Sequence, residues 1–321
     1  MRKLDLARRM ITCVVPIVLA FVLPVFADSP DLTFKLTSNG VFDFNTGVVK
    51  GKLRADEKSQ GILSFVDVQS GTELAYGGDN PGILSYYRLF SANKRYAEAA
   101  RGWPKSSMLL SDGAVQIKWP PRDEHPIEMI AIYRWKTSGT LDLETLVRPT
   151  IDMKDFEVFL SSYFNKNFRS LVYVKAPLHR PGKPSFLSAD VNPLVRGTYL
   201  AFPRDRRAAQ IIYDGRWEYG PNPVQFSVAQ LLAAPLCMKR DSKSDVAFLL
   251  MSHPDDCFAI ETSYNMDPPD GIAGHCSMYL SLFGKDIRAS ETARVLVRLV
   301  VGRNITERDA LDLYENYLRE K

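Results

Sequence analysis

The chain has 321 residues, 45% of them hydrophobic and 24% charged, with four cysteines and a net charge of +4. This length and apolar content support one large core or two small ones, and exclude both a disordered chain and a small disulfide scaffold. Four of the basic residues fall within the first nine positions, so the excess charge does not amount to a nucleic-acid-binding surface.

At the N-terminus, MRKLDLARRM is basic and ITCVVPIVLAFVLPVF is an apolar run broken by two prolines. Val25-Phe26-Ala27 places small residues at the two positions that a signal peptidase inspects. Residues 1–27 are therefore expected to be a signal peptide cleaved after Ala27, making the protein secreted or periplasmic. Removing Arg2, Lys3, Arg8, Arg9 and Asp5 takes the net charge from +4 to +1. No later stretch is long enough to cross a bilayer, so neither membrane nor nucleic acid is an expected partner of the mature chain. Cys237, Cys257 and Cys276 remain, and an odd count allows at most one internal disulfide. A Cys257–Cys276 bridge is preferred to a zinc site built from His253, Cys257, His275 and Cys276. No metal or cofactor is expected.

From residue 32 to 301 the hydrophobic pattern alternates with period two. In chain order, LTFKLT, GVVKGKL, GILSFVDV, GILSYYRLF, AVQIKW, IEMIAIYRW, TLDLETLV, FEVFLSSYF, SLVYVK, TYLAF, AQIIYD, VAFLLMS, CFAIETSY, CSMYLSLFG and ARVLVRLVV read as strands. Turn clusters such as SDGA, KTSGT, RPGKP and MDPPDG separate them. The first helical period comes at TERDALDLYENYL, where Thr306 and Asp309 form a capping pair. Ala310, Leu311, Leu313, Tyr314, Tyr317 and Leu318 make its apolar stripe. The pattern predicts an all-β fold, a large antiparallel sandwich over residues 28–321 as one domain with one C-terminal helix. The Pro-rich stretch around 177–184 reads as a long loop within it.

Two strands carry the chemistry. In FEVFLSSYF, Phe156, Val158, Leu160, Ser162 and Phe164 share the face expected to meet the core. Glu157, Phe159, Ser161, Tyr163 and Asn165 share the other. In CFAIETSY, Cys257, Ala259, Glu261 and Ser263 share a face on which small residues surround one carboxylate, leaving room for a ligand.

These strands resemble those of galactose mutarotases and related aldose 1-epimerases. That family has a strand ending His-x-Tyr-Phe-Asn, a later strand with Glu followed by Pro-Asp, and a closing strand after a Gly-Glu-Thr-like turn. Here the counterparts are Ser161-Ser162-Tyr163-Phe164-Asn165, Ala259-Ile260-Glu261-Thr262 with Pro269-Asp270, and Ala289-Ser290-Glu291-Thr292 before ARVLVRLVV. HPIEMIAIYRWKTSGTLDLETLV is similar to the paired middle strands, and the likeness spans roughly residues 60–302. It implies a galactose-mutarotase-like supersandwich with Glu261 as the base that takes the anomeric proton. The family's acid, a histidine, is replaced by Ser161, and an alcohol is too weak an acid for that work. Tyr163 or a loop histidine (His125, His179, His253 or His275) is then the candidate acid.

YGGDNPGILSYYRLFSANKRYAEAARGWP adds a rim of Arg88, Lys94, Arg95 and Arg101 with Tyr86, Tyr96 and Trp103. Aromatic faces stack on sugar rings, and Arg grips carboxylate or sulfate. In DGRWEYGPNP, Trp217 reads as a stacking platform or as an anchor for its loop. Tyr163 and Glu261 are thus the candidate catalytic residues. Arg88, Lys94, Arg95, Arg101, His125, Asn165 and Trp217 are the candidate ligand contacts. The expected partner is a sugar or glycan, neutral or anionic in class, bound by an enzyme or by a non-catalytic module of the same fold. The oligomeric state is not legible.

Overall fold

The computed structural model describes residues 30–320 apart from 57–58, 77–81, 93, 97–98, 178–180, 190–198, 219, 221–222, 229, 242 and 264–275. The signal-peptide expectation, His179, His275 and Pro269-Asp270 lie outside the described residues. So does the 190–198 connection.

The first four strands, β1 (Lys35–Ser38), β2 (Val41–Asn45), β3 (Val49–Ala55) and β4 (Gln60–Asp67), form an antiparallel meander. Then come β5 (Ser85–Ser91), β6 (Lys94–Tyr96), β7 (Ser106–Leu109), β8 (Val115–Trp119), β9 (Ile127–Thr137) and β10 (Thr140–Pro149). The long β11 (Met153–Phe164) is followed by β12 (Phe168–Val174), β13 (Ser185–Ser188), β14 (Tyr199–Pro203), helix α1 (Arg206–Ile212) and β15 (Phe226–Val228). The chain closes with β16 (Leu232–Asp241), β17 (Val246–Ser252), β18 (Cys257–Ser263), β19 (Cys276–Ile287), β20 (Ala293–Arg303) and helix α2 (Glu307–Arg319).

Among the described residues, nine strands form one sheet in the order β13-β12-β16-β17-β20-β10-β9-β8-β7, and seven form another, β15-β14-β18-β19-β11-β5-β6. Alternation decides what lies between them. Val158, Leu160 and Phe164 of β11, Ile260 of β18 and Leu280 of β19 share one core with Leu141, Leu143, Phe248, Leu250, Val297 and Leu299 of the larger sheet. Burying each such side chain contributes roughly 1.5–3 kcal/mol. This is the antiparallel sandwich that the period-two pattern predicts.

Helix α2 starts at the expected cap: Thr306 Oγ1 accepts from Asp309 N at 3.1 Å, and Asp309 Oδ2 accepts from Thr306 N at 2.9 Å. Its Ala310, Tyr314 and Tyr317 pack on Leu236, Met238, Leu249 and Met251, on the outer side of the nine-stranded sheet.

One segment differs from the sequence reading. AQIIYD was expected to be a strand, but its Ala209–Ile212 belong to α1, so the C-terminal helix is not alone. Asp205 sets this helix, its side chain accepting from Ala208 N at 2.8 Å. Ala208, Ile211 and Ile212, at i, i+3 and i+4, then fall on one buried face, a helical spacing that the short apolar pair Ile211-Ile212 does not by itself reveal. The disulfide expectation also fails. Cys257 is a free, buried thiol paired opposite Leu282 on β19, whereas Cys276 begins that strand opposite Phe164. Six residues of strand put these positions roughly 20 Å apart, and a bridge needs Cα atoms within about 7 Å.

Candidate functional site: the outer face of the seven-stranded sheet

The sheet face turned away from the main core carries a second cluster. Phe90, Phe159, Tyr163, Ala201, Ala259 and Tyr279 rise from β5, β11, β14, β18 and β19, and Ala208, Ile211, Ile212, Trp217 and Phe226 cover them from α1, the following loop and β15. Phe159 stands at its centre, with ring centroids 4.6 Å from Trp217 and 4.7 Å from Tyr279. Beside it a hollow of about 310 Å³ opens between Tyr87, Phe159, Tyr163, Tyr199, Trp217, Val224, Phe226 and Tyr279. This size lies at the small end of the range for ligand pockets.

Beneath the aromatic layer the same face holds two buried carboxylates. Glu261 and Glu157 are each 1% exposed. Register explains their proximity. Glu261 lies opposite Tyr279 of β19, and Ser281, two residues on, lies opposite Phe159 of β11, two residues from Glu157. Ser281 Oγ is 2.7 Å from Glu157 Oε1 and 2.9 Å from Glu261 Oε1. Glu261 Oε2 is buried and has no hydrogen-bond partner among the described residues.

A bulge borders this geometry. Leu282 and Phe283 are consecutive yet both enter the main core, which regular alternation forbids. Phe283 has φ +75° and Gly284 φ +61°, and a Cβ on Gly284 would stand 2.5 Å from the Phe258 ring. On the facing strand Asp155 also has a left-handed φ of +46°.

Arg216 fills the gap above the bulge. Its guanidinium donates to Glu157 Oε2 at 2.8 Å, to both oxygens of Asp214 at 3.0 and 2.8 Å, and to the Asp155 carbonyl at 3.1 Å. Arg216 is fully buried, and Arg207 of α1 adds an ion pair to Asp155. The cover is therefore fastened to β11 by charge as well as by apolar packing. Burial disfavours the Arg216 charge, but Glu157 and Asp214 outweigh it. Burial raises the Glu157 pKa, with Arg216 opposing the rise. For Glu261, burial and the nearby Glu157 push the pKa well above the ordinary carboxylate range, with only Ser281 working the other way.

The predicted residues separate into two groups. Tyr163 and Trp217 line the hollow, and Arg88 packs behind its wall. Arg88 is buried, its guanidinium 4.6 Å from the Tyr87 ring centroid and 5.1 Å from that of Trp217. Arg101 stacks on Tyr87 at 4.7 Å, and its buried Nη1 has no partner among the described residues. Glu261 lies under the aromatic layer and is not part of the hollow's wall.

Lys94, Arg95, His125 and Asn165 do not line the hollow. Lys94 is exposed and caps the Tyr96 ring at 4.9 Å. Arg95 follows it on β6, the edge strand. His125 is stacked on Trp103 at 3.8 Å, buried, with its pKa lowered by burial. Asn165 serves the β11–β12 turn, donating to the Glu73 carbonyl at 3.1 Å and accepting from Asn167 N at 3.2 Å. Ser161, in the place of the family histidine, is fully buried and donates to the Ser85 carbonyl at 2.8 Å. His253 lies in a turn before β18, where its Nδ1 accepts from Asp255 N at 3.3 Å.

Sequence reasoning missed Tyr87, Tyr199, Phe226 and Tyr279 of the aromatic wall, and Ser281, Glu157 and Arg216 below it. A signal was present for Tyr279 and Ser281. CSMYLSLFG repeats the pattern of small residues around a tyrosine seen at Ser161-Ser162-Tyr163.

No protein-family model matches the chain, and no curated protein matches it in sequence. Solved structures do match it in shape. The Slr1438 protein of Synechocystis sp. PCC 6803 superposes with a TM-score of 0.51 at 11% identity, over 86% of this chain and 98% of that one. A protein assigned by name as an aldose 1-epimerase from Klebsiella pneumoniae subsp. pneumoniae gives 0.51 at 7% identity, over 87% and 83%. At such identities the likeness establishes a shared fold, and that fold is the galactose-mutarotase-like sandwich that the sequence resemblance implies.

Proposed function

We propose that the protein is exported and binds a sugar or glycan in the aromatic hollow. The observation that carries this reading is the wall itself: five tyrosine and tryptophan rings, with Phe159 and Phe226, around about 310 Å³ of space on the outer sheet face. Tyr and Trp present a flat apolar face for a sugar ring and a polar edge for its hydroxyls. The aldose 1-epimerase name of a structural neighbour and the basic, then apolar, first 27 residues agree with an exported sugar-handling protein. Arg101, buried at one nitrogen without a partner and stacked on the wall residue Tyr87, favours an anionic ligand, one bearing a carboxylate or sulfate.

A second reading, that the bound sugar is also processed, is favoured by Glu157 and Glu261. Perturbed carboxyl groups gathered under a pocket are a mark of functional sites. In that reading Tyr163 and Glu261 do the acid–base work, with Glu261 ionised when it acts as the base.

Thermal-shift titration with neutral, uronate-containing and sulfated oligosaccharides tests the first reading, since a ligand of the native state raises Tm. A saturable rise with one class is the expected result; no rise with any of them refutes it. Product analysis on the bound class, with Glu261→Gln as control, separates the two readings: turnover that E261Q abolishes supports processing, and its absence in wild type leaves binding alone.

A further inference from the structure

The two carboxyl groups meet at one hydroxyl, and a hydroxyl has one hydrogen. Ser281 Oγ lies 2.7 Å from Glu157 Oε1 and 2.9 Å from Glu261 Oε1, both within hydrogen-bonding distance. It can donate to only one of them. The other contact sets lone pair against lone pair in a buried site, unless that carboxyl carries a proton and donates it to Ser281. Glu157 has Arg216 at 2.8 Å on its second oxygen, which holds the negative charge there. Glu261 has no cation at either oxygen, and its Oε2 has no partner at all among the described residues. An ionised Glu261 would leave a charge uncompensated at full burial, which is far costlier than leaving a neutral carbonyl oxygen unpartnered.

We propose that Glu261 is a neutral carboxylic acid in the folded protein, donating its proton to Ser281 while Ser281 donates to Glu157. The hydrogen bonds then run in one direction, from Glu261 through Ser281 to the Glu157 carboxylate, which Arg216 neutralises. The ionisable groups on the elements packed around Glu261 agree with this assignment. Glu157 on β11 and Asp214 in the cover disfavour a second negative charge. Arg216, the cation nearest them, is already bracketed by both. Tyr279 on β19 and Cys257 on β18 are both held in their neutral forms by burial. The assignment does not depend on the sugar reading. If the sugar is also processed, Glu261 has to give up this proton before it can act as the base.

Infrared difference spectroscopy of the full chain at pH 7 tests it directly, because protonated and ionised carboxyl groups absorb in separate regions. The expected result is a protonated-carboxyl C=O band in wild type that shifts in D₂O and is lost in Glu261→Gln. In Ser281→Ala the band should persist but move to higher frequency, having lost its acceptor, which keeps the test open if E261Q does not fold. A wild-type spectrum without such a band overturns the proposal, as does a band that E261Q leaves unchanged. Neither outcome depends on whether any glycan binds.

Discussion

Arg298 and Arg216 are each held between two acids, and the two clamps differ in their surroundings. Arg298 on β20 donates to Asp142 at 2.7 and 2.9 Å and to Glu320 at 2.8 and 2.7 Å, tying the end of α2 to the outer side of the nine-stranded sheet. Arg216 is held in the same way by Glu157 and Asp214, tying the cover to the seven-stranded sheet. The first clamp is open to water on one side, where the Glu320 side chain is 52% exposed. In the second Arg216 and Glu157 are fully buried, and a third carboxyl, Glu261, lies one hydroxyl away beneath an aromatic hollow. A clamp that only holds needs two carboxylates. The additional buried acid is what distinguishes the second clamp from the first.

The comparison breaks most sharply at the buried clamp. Arg216→Ala leaves Glu157 uncompensated and should destabilise the protein by about 3–5 kcal/mol, as for other broken buried pairs. A urea midpoint measurement checks this. At the exposed clamp Glu320→Ala should cost only about 0.2–1 kcal/mol, because water replaces much of what is lost. Equal losses at the two clamps would erase the distinction.

Between these extremes lies a pH effect. The Glu261 pKa is raised by folding, so its contribution is fully present below the ordinary glutamate value of 4.5 and is lost as pH climbs through the raised one. Thermal melts from pH 4.5 upward should show wild type losing stability relative to Glu261→Gln, which keeps the neutral shape. Parallel curves would contradict it.

The strands were legible because period two needs only neighbouring residues, and α2 because its cap and stripe lie within thirteen residues. The part of the site formed within one strand was legible too, as with Tyr163 on the outer face of β11. What could not be read was any relation between strands. Glu157, Ser281 and Glu261 meet through the β11–β19 and β18–β19 registers, beside left-handed residues at Asp155 and Phe283, and nothing local to either residue announces such a backbone. Arg216 sat unread beside Trp217 in DGRWEYGPNP, since a charged residue in a loop normally faces water. His125, by contrast, drew notice for its chemistry and proved to be packed against Trp103.

The most direct test is calorimetric titration of wild type and Tyr87→Ala with the oligosaccharide class that raises Tm. Tyr87 is only half-buried, carries both arginine stacks and forms one wall of the hollow, so its removal should spare the fold. Losing a stacking ring worth about 0.5–1.5 kcal/mol should weaken binding by up to roughly tenfold. Unchanged affinity in Tyr87→Ala would contradict the placement of the ligand in the hollow.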